Sequence, residues 1–175
     1  ELATDSELVF VGDAGTTEPS DPTRRRGVEV NAFYEFTDFL VFDFTAAQAR
    51  GHFRGLPDGE NSITDAHERV AAAGITYVGE QGITASLRLR HFGDAALTED
   101  ESVMKESSTL VHAGVSYDFG PWQIGIDILN AFDAADDDIA YFFESRLAGE
   151  LAGVEDIHFH PANPRTVRAM VRYTF

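Results

Sequence analysis

The residues best suited to chemistry lie between Asp133 and Pro164. Asp133, Asp136, Asp137, Asp138, Glu144, Glu150, Glu155 and Asp156 crowd this stretch against Arg146 alone. Clustered oxygen ligands suit Ca²⁺, although the spacing matches no EF-hand loop. The plainer reading is a solvated acidic loop that meets divalent cations only in passing. Asp156-Ile157-His158-Phe159-His160 places three potential ligands on one side of an extended chain. A His-x-His pair can chelate a transition metal if a further ligand comes from elsewhere; otherwise these histidines hydrogen-bond locally. Asp136, Asp137, Asp138, Asp156, His158 and His160 are therefore the loop candidates for metal or ligand contact.

A second set of polar groups lies inside alternating segments: Arg88, Arg90, His112, Asp127, Arg168 and Arg172. The arginines could draw an anionic substrate, or pair with carboxylates such as Asp43, Asp118 and Asp127. His112 reads as a member of a polar network rather than a ligand. No Gly-x-Ser-x-Gly, His-Glu-x-x-His or phosphate-loop motif is present, so no enzyme and no resident cofactor is expected.

Composition narrows the classes. The 175 residues amount to one domain or a piece of a larger one. Thirteen Lys+Arg against thirty Asp+Glu leave a net charge of −17, with Lys105 the one lysine. No nucleic-acid partner is expected, because phosphate contacts need a basic footprint. Fourteen Phe and 43% hydrophobic residues are too many for a solvated coil. The absence of cysteine excludes disulfides and thiolate metal sites. No run of eighteen apolar residues forms a membrane helix, which says nothing against a β-barrel. The opening Glu1-Leu2-Ala3-Thr4 has neither Met nor a signal peptide, and reads as a mature form or a fragment.

The elements that would position these groups follow period two. Strands are predicted at Glu7–Val11, Val28–Phe36, Leu40–Ala46, Val70–Tyr77, Ile83–Arg90, Leu110–Phe119, Trp122–Ile128 and Arg165–Phe175. The connections alternate long and short: 12–26 and 52–68 are long and polar, 94–107 long and acidic, and 133–164 the longest. Thr37-Asp38, Gly79–Gly82 and Gly120-Pro121 are the short ones. Short turns on one side and long loops on the other are a property of transmembrane β-barrels. One face of the strands is apolar and ends, beside the short turns, in Tyr34, Phe36, Tyr77, Tyr117, Phe119, Trp122, Tyr173 and Phe175. Of these, Tyr34, Tyr77, Tyr117, Trp122, Tyr173 and Phe175 are expected to form a membrane girdle, since such rings prefer the headgroup level. The opposite face carries Glu29, Glu35, Asp43, Arg88, Arg90, Asp118, Asp127, Arg168 and Arg172. That many charges do not fit the core of a small soluble barrel, but they fit a wet or plugged lumen.

Three stretches resemble the C-terminal part of a TonB-dependent outer-membrane receptor. Arg26-Gly27-Val28-Glu29-Val30 is similar to the Arg-Gly-hydrophobic-Glu start of a barrel strand in that family. Asn130-Ala131-Phe132-Asp133 is similar to its Asn-Leu-Phe-Asp ending of the penultimate strand, with Ala131 a departure. Arg165 to Phe175 is similar to the final strand with its terminal aromatic, read by the barrel-assembly machinery. The resemblance implies an all-β antiparallel transmembrane β-barrel in a bacterial outer membrane, with about eight strands here out of roughly 22 in the plugged transporter type. It implies import of a siderophore or other scarce nutrient, with an iron chelate as cargo that an extracellular histidine could contact. It also implies a plug, a TonB box and further strands N-terminal to this stretch. The implied partners are outer-membrane lipid and lipopolysaccharide, the rest of the receptor, the barrel-assembly machinery through Phe175, and TonB indirectly. Two alternatives stay open: a stand-alone eight-stranded barrel with a structural or adhesive role, and a lipocalin-like cup with its apolar face turned inward.

Overall fold

The computed structural model describes residues 1–11 and 15–175, at residues 10 and 11 the backbone alone. Fourteen strands and no helix occur among the described residues. They are β1 (Leu2–Thr4), β2 (Leu8–Val11), β3 (Thr16–Pro19), β4 (Thr23–Thr37), β5 (Leu40–Phe53), β6 (Arg69–Val78), β7 (Ile83–Phe92), β8 (Ala95–Ala96), β9 (Met104–Lys105), β10 (Ser108–Phe119), β11 (Trp122–Leu129), β12 (Asp137–Ser145), β13 (Val154–Pro161) and β14 (Thr166–Tyr173).

One antiparallel sheet of eight strands runs β1-β4-β5-β6-β7-β10-β11-β14. Its neighbours are consecutive in the chain apart from the small hairpins inserted between them, as an up-and-down meander requires. The sheet is open. β1 covers β4 only from Thr23 to Arg25, so the rest of that edge is unpaired among the described residues, as is the outer edge of β14.

The register carries the division of faces from strand to strand across the sheet. One rung runs Tyr34–Phe42–Ile75–Leu87–Ala113–Ile128–Val167, each residue opposite the next. The adjoining rung on the other face runs Phe33–Asp43–Gly74–Arg88–His112. A slip of one residue in any pair would exchange the faces. The apolar face is bare: Val28 is 71% and Val171 67% exposed, and Leu87, Val115, Ile124 and Ile126 are also open. No second layer covers it among the described residues, which in water would leave a large apolar patch.

The buried residues gather at the other margin. Thr23, Phe53, Ile63, Ala95, Ala96, Leu97, Lys105, Ser108, Leu110, Asn130 and Ala140 lie where the long connections fold over the loop end of the charged face. The connection between β5 and β6 is stitched to that between β7 and β10 by Ser62 N–H donating to Glu99 O and Asp65 N–H to Ala96 O.

Three sequence expectations need correction. Residues 7–11 are not the first strand of the main sheet. Leu8–Val11 pairs with Thr16–Pro19 in a separate hairpin, and Leu2–Thr4 takes the sheet edge. Glu7 is the reason: its carboxylate accepts from Thr23 Oγ1 at 2.6 Å and from Arg25 Nη2 at 2.6 Å, pinning the chain where it leaves the edge. Arg24-Arg25-Arg26 is not part of a connection but the opening of β4, and β5 runs on to Phe53. The stretch 133–164 is not loop throughout, because β12 and β13 form a hairpin within it.

Candidate functional site: the charged face and the loops above it

The charged face is built on small residues. Asp43, Gly74 and Arg88 occupy one rung of three strands, and Arg88 Nη1 donates to Asp43 Oδ2 at 3.1 Å across the glycine. A Cβ at Gly74 would stand 2.5 Å from Asp43 Oδ1 and 2.8 Å from Arg88 Nη1, so the pair as it stands uses the space that the glycine leaves. Gly114 plays a similar part for Asp127, whose Oδ1 would lie 2.7 Å from its Cβ. Arg168 stands directly opposite Asp127, and Arg172 opposite Gln123. Arg90 lies over the Phe92 ring, 5.3 Å from its centroid. The six polar candidates of the sheet thus share one face, where Arg88 and His112 make hydrogen bonds and Arg90 a ring contact.

His112 accepts the backbone N–H of Asn130 at Nδ1, 3.1 Å away. Asn130 is the residue whose structural role sequence reasoning missed, although it opens the Asn130–Asp133 motif. It is 3% exposed and holds φ at +48°, a left-handed backbone that Asn tolerates better than most residues. Its Nδ2 donates to Ala134 O at 2.9 Å and to Asn163 O at 3.0 Å, while Oδ1 accepts from Ala134 N at 2.9 Å. Asp133 Oδ1 accepts the Arg165 N–H at 2.8 Å. Asn130 and Asp133 therefore close the base of the 133–164 excursion. The signal was legible: a short amide at a strand end, followed after three residues by an acid, suits a closed turn.

The loop ligand candidates are dispersed. Asp136 is consumed by structure, its Oδ2 accepting from Ser108 Oγ at 2.8 Å and Thr109 N at 3.1 Å. Asp137 sits opposite Pro161 at the mouth of the hairpin, and the Asp138 carbonyl faces Lys105 Nζ at 3.4 Å. Asp156 accepts the N–H of Ile157. His158 stacks on Phe143 at 3.9 Å and lies opposite Tyr141; His160 lies opposite Ile139. His158 and His160 do share a face, yet no three acid or histidine side chains among the described residues converge as a metal site would need.

Asp65 and Glu7 are displaced from their ordinary range in opposite senses. Burial pushes the Asp65 carboxyl up, against the opposing charges of His67 and Lys105. Thr23 and Arg25 hold the Glu7 carboxyl down.

At the other end of the apolar face, beside the short turns, aromatic rings meet in pairs. Tyr34 packs on Phe36 (centroids 4.7 Å), Phe39 on Tyr77 (5.7 Å), Tyr117 on Phe119 (5.6 Å) and Trp122 on Tyr173 (4.7 Å), which in turn meets Phe175 (5.0 Å).

An open meander with a bare apolar face, a charged opposite face, aromatic pairs at the turn end and folded loops at the other defines a segment of a membrane β-barrel wall. Comparison with solved structures identifies the same fold in metal-uptake receptors. The ferric yersiniabactin uptake receptor FyuA from Yersinia pestis is similar at 16% identity and a TM-score of 0.69, over 91% of this chain and 25% of that one. The siderophore receptor PiuA from Acinetobacter baumannii is similar at 13% identity and a TM-score of 0.67, over 98% and 24%. The ferric citrate transporter FecA is similar at 19% identity and a TM-score of 0.64, over 86% and 24%. These neighbours are TonB-dependent receptors, and the chain spans about a quarter of their length. No protein-family model and no curated protein matches the chain.

Proposed function

We propose that this chain forms part of the wall and loops of an outer-membrane receptor that imports a metal chelate. The observation that carries the reading is the division of faces: an apolar face open along its whole length, backed by a face bearing Asp43, Arg88, Asp127, Arg168 and Arg172. Lipid on one side and a polar lumen on the other satisfy both at once. The dimensions agree. From Arg50 to Leu40 along β5 is about 33 Å at roughly 3.3 Å per residue, or about 25 Å of height at a tilt of roughly 40°.

The free edges of β4 and β14 supply the rest of the reading. Long unpaired edges are templates for further strands, and here the partners are the remaining strands of a larger barrel enclosing a plug. The aromatic end faces the periplasm, where Phe175 serves recognition by the barrel-assembly machinery. The long loops face outward, where His160 and the hairpin edge meet cargo. Energy reaches this segment only indirectly, through TonB acting on the plug.

The test uses the intact protein in energised cells under iron limitation. Uptake of one member of a panel of labelled ferric chelates, abolished when TonB is absent, is the expected result. A barrel that takes up none of them, with or without TonB, would reject the transport reading and favour a structural or adhesive barrel.

A further inference from the structure

Lysine is almost never buried without a partner, because its charge sits on a compact, strongly hydrated ammonium. The one lysine of this chain is buried all the same. Lys105 is 6% exposed and makes no ion pair among the described residues. Its Nζ donates to the Asp138 carbonyl at 3.4 Å, and its charge reaches the Asp65 carboxyl through space. Asp65 lies in the connection between β5 and β6, and Asp138 in β12 at the foot of its hairpin. Lys105 itself closes β9, in the connection between β7 and β10. It stands where three of the long connections meet.

Hydrogen bonds complete the seam on either side. On one, Ser62 Oγ donates to Glu101 Oε1, Ser62 N–H to Glu99 O at 3.0 Å and Asp65 N–H to Ala96 O at 2.8 Å. Ala96 belongs to β8, whose two residues lie opposite Met104 and Lys105. On the other, Asp136 Oδ2 accepts from Ser108 Oγ and Thr109 N–H, and Ala140, 1% exposed, shares a cleft with residues 104–108. An apolar side chain at 105 could stay in place if the hairpin drew away, since nothing on it would need a new acceptor. An ammonium cannot. Without Asp138 O it has to reach water. In doing so it draws β9 off a ladder only two residues long, and with β8 goes the Ala96 carbonyl that holds Asp65.

We propose that Lys105 makes the connections 54–68, 94–107 and 133–164 one cooperative unit, so that displacing the β12–β13 hairpin releases 61–66 on the far side of the seam. The buried charge is what makes the release all-or-none. The coupling is a property of these connections and holds whether or not the transport reading does.

Coupling between sites is reciprocal, and this supplies the test. Hydrogen–deuterium exchange of the intact protein in detergent is followed over peptides covering 61–66 and 136–142. Asp136→Ala loosens the foot of the hairpin, and is expected to speed exchange over 61–66 as well, by at least about fivefold. Ser62→Ala loosens the near side, and is expected to speed exchange over 136–142 in turn. In the Lys105→Met background, where the side chain keeps its length and loses its charge, each substitution is expected to act on its own side alone. Unchanged exchange over 113–117, within β10, marks each variant as folded in its wall. Effects confined to the substituted side in the protein that retains Lys105, or crossing the seam equally in both backgrounds, overturn the proposal. The first of these comparisons uses no change at Lys105, so damage in the Lys105→Met protein does not shelter the proposal from refutation.

Discussion

Asn130→Ala is the most informative single change. It removes three side-chain hydrogen bonds, to Ala134 N, Ala134 O and Asn163 O, from a residue that is 3% exposed. Each contributes about 1 kcal/mol net, and more where the partner is left dry. Alanine at φ +48° adds up to about 1 kcal/mol of backbone strain relative to asparagine. The expected loss is about 3–4 kcal/mol, concentrated at the base of the β12–β13 excursion. At 1.4 kcal/mol per factor of ten, opening there becomes roughly 100-fold or more frequent. Hydrogen–deuterium exchange of the intact protein in detergent, over peptides covering 130–136 and 159–166, reads this directly. Asn130→Gly loses the same bonds without the strain, so it should be milder by about 1 kcal/mol. Protection within threefold of the unaltered protein in Asn130→Ala, or Gly worse than Ala, would refute the reasoning.

Other outcomes follow from the same geometry. Gly74→Val drives a Cβ into Asp43 and Arg88; a loss of about 1–2 kcal/mol is expected from overpacking, read by urea unfolding followed through Trp122 fluorescence in vesicles. The Asp65 carboxyl is pushed up by burial, so the folded loops hold its proton more tightly than the unfolded chain. The stability it contributes is complete below the ordinary value of 3.8 and is lost as pH rises through the raised one. Exchange protection of 54–68 should therefore fall with rising pH across that window, and Asp65→Asn should flatten the dependence. For Trp122, bromine at the headgroup end of the acyl chain should quench more than bromine near the bilayer centre; the reverse order would remove it from the interface.

Much of the fold was legible because a barrel wall obeys one local rule. Side chains alternate across a strand, and each face meets a different solvent, so Val28 to Phe36 or Trp122 to Ile128 declares its strand and its faces without help from tertiary structure. The turns were equally local: Gly82 and Gly120 hold positive φ where the short connections were expected. The candidate site was less legible. Leu8–Val11 is as apolar as a wall strand, and nothing nearby in sequence shows that Glu7 is held by Thr23 and Arg25. His158 and His160 looked like ligands by spacing, yet His158 stacks on Phe143.

By itself, then, the sequence determined the all-β class, the face of each wall strand and the alternation of long and short connections, since all of these depend on residues within one or two strands. Only the tertiary structure decided which segment takes the sheet edge, and that Gly74 and Gly114 make room for charged neighbours. It alone showed that Asn130 locks the 133–164 excursion. These depend on register between strands far apart in the chain. Register is set by cross-strand pairing and by loop-end hydrogen bonds, which no short window of residues contains.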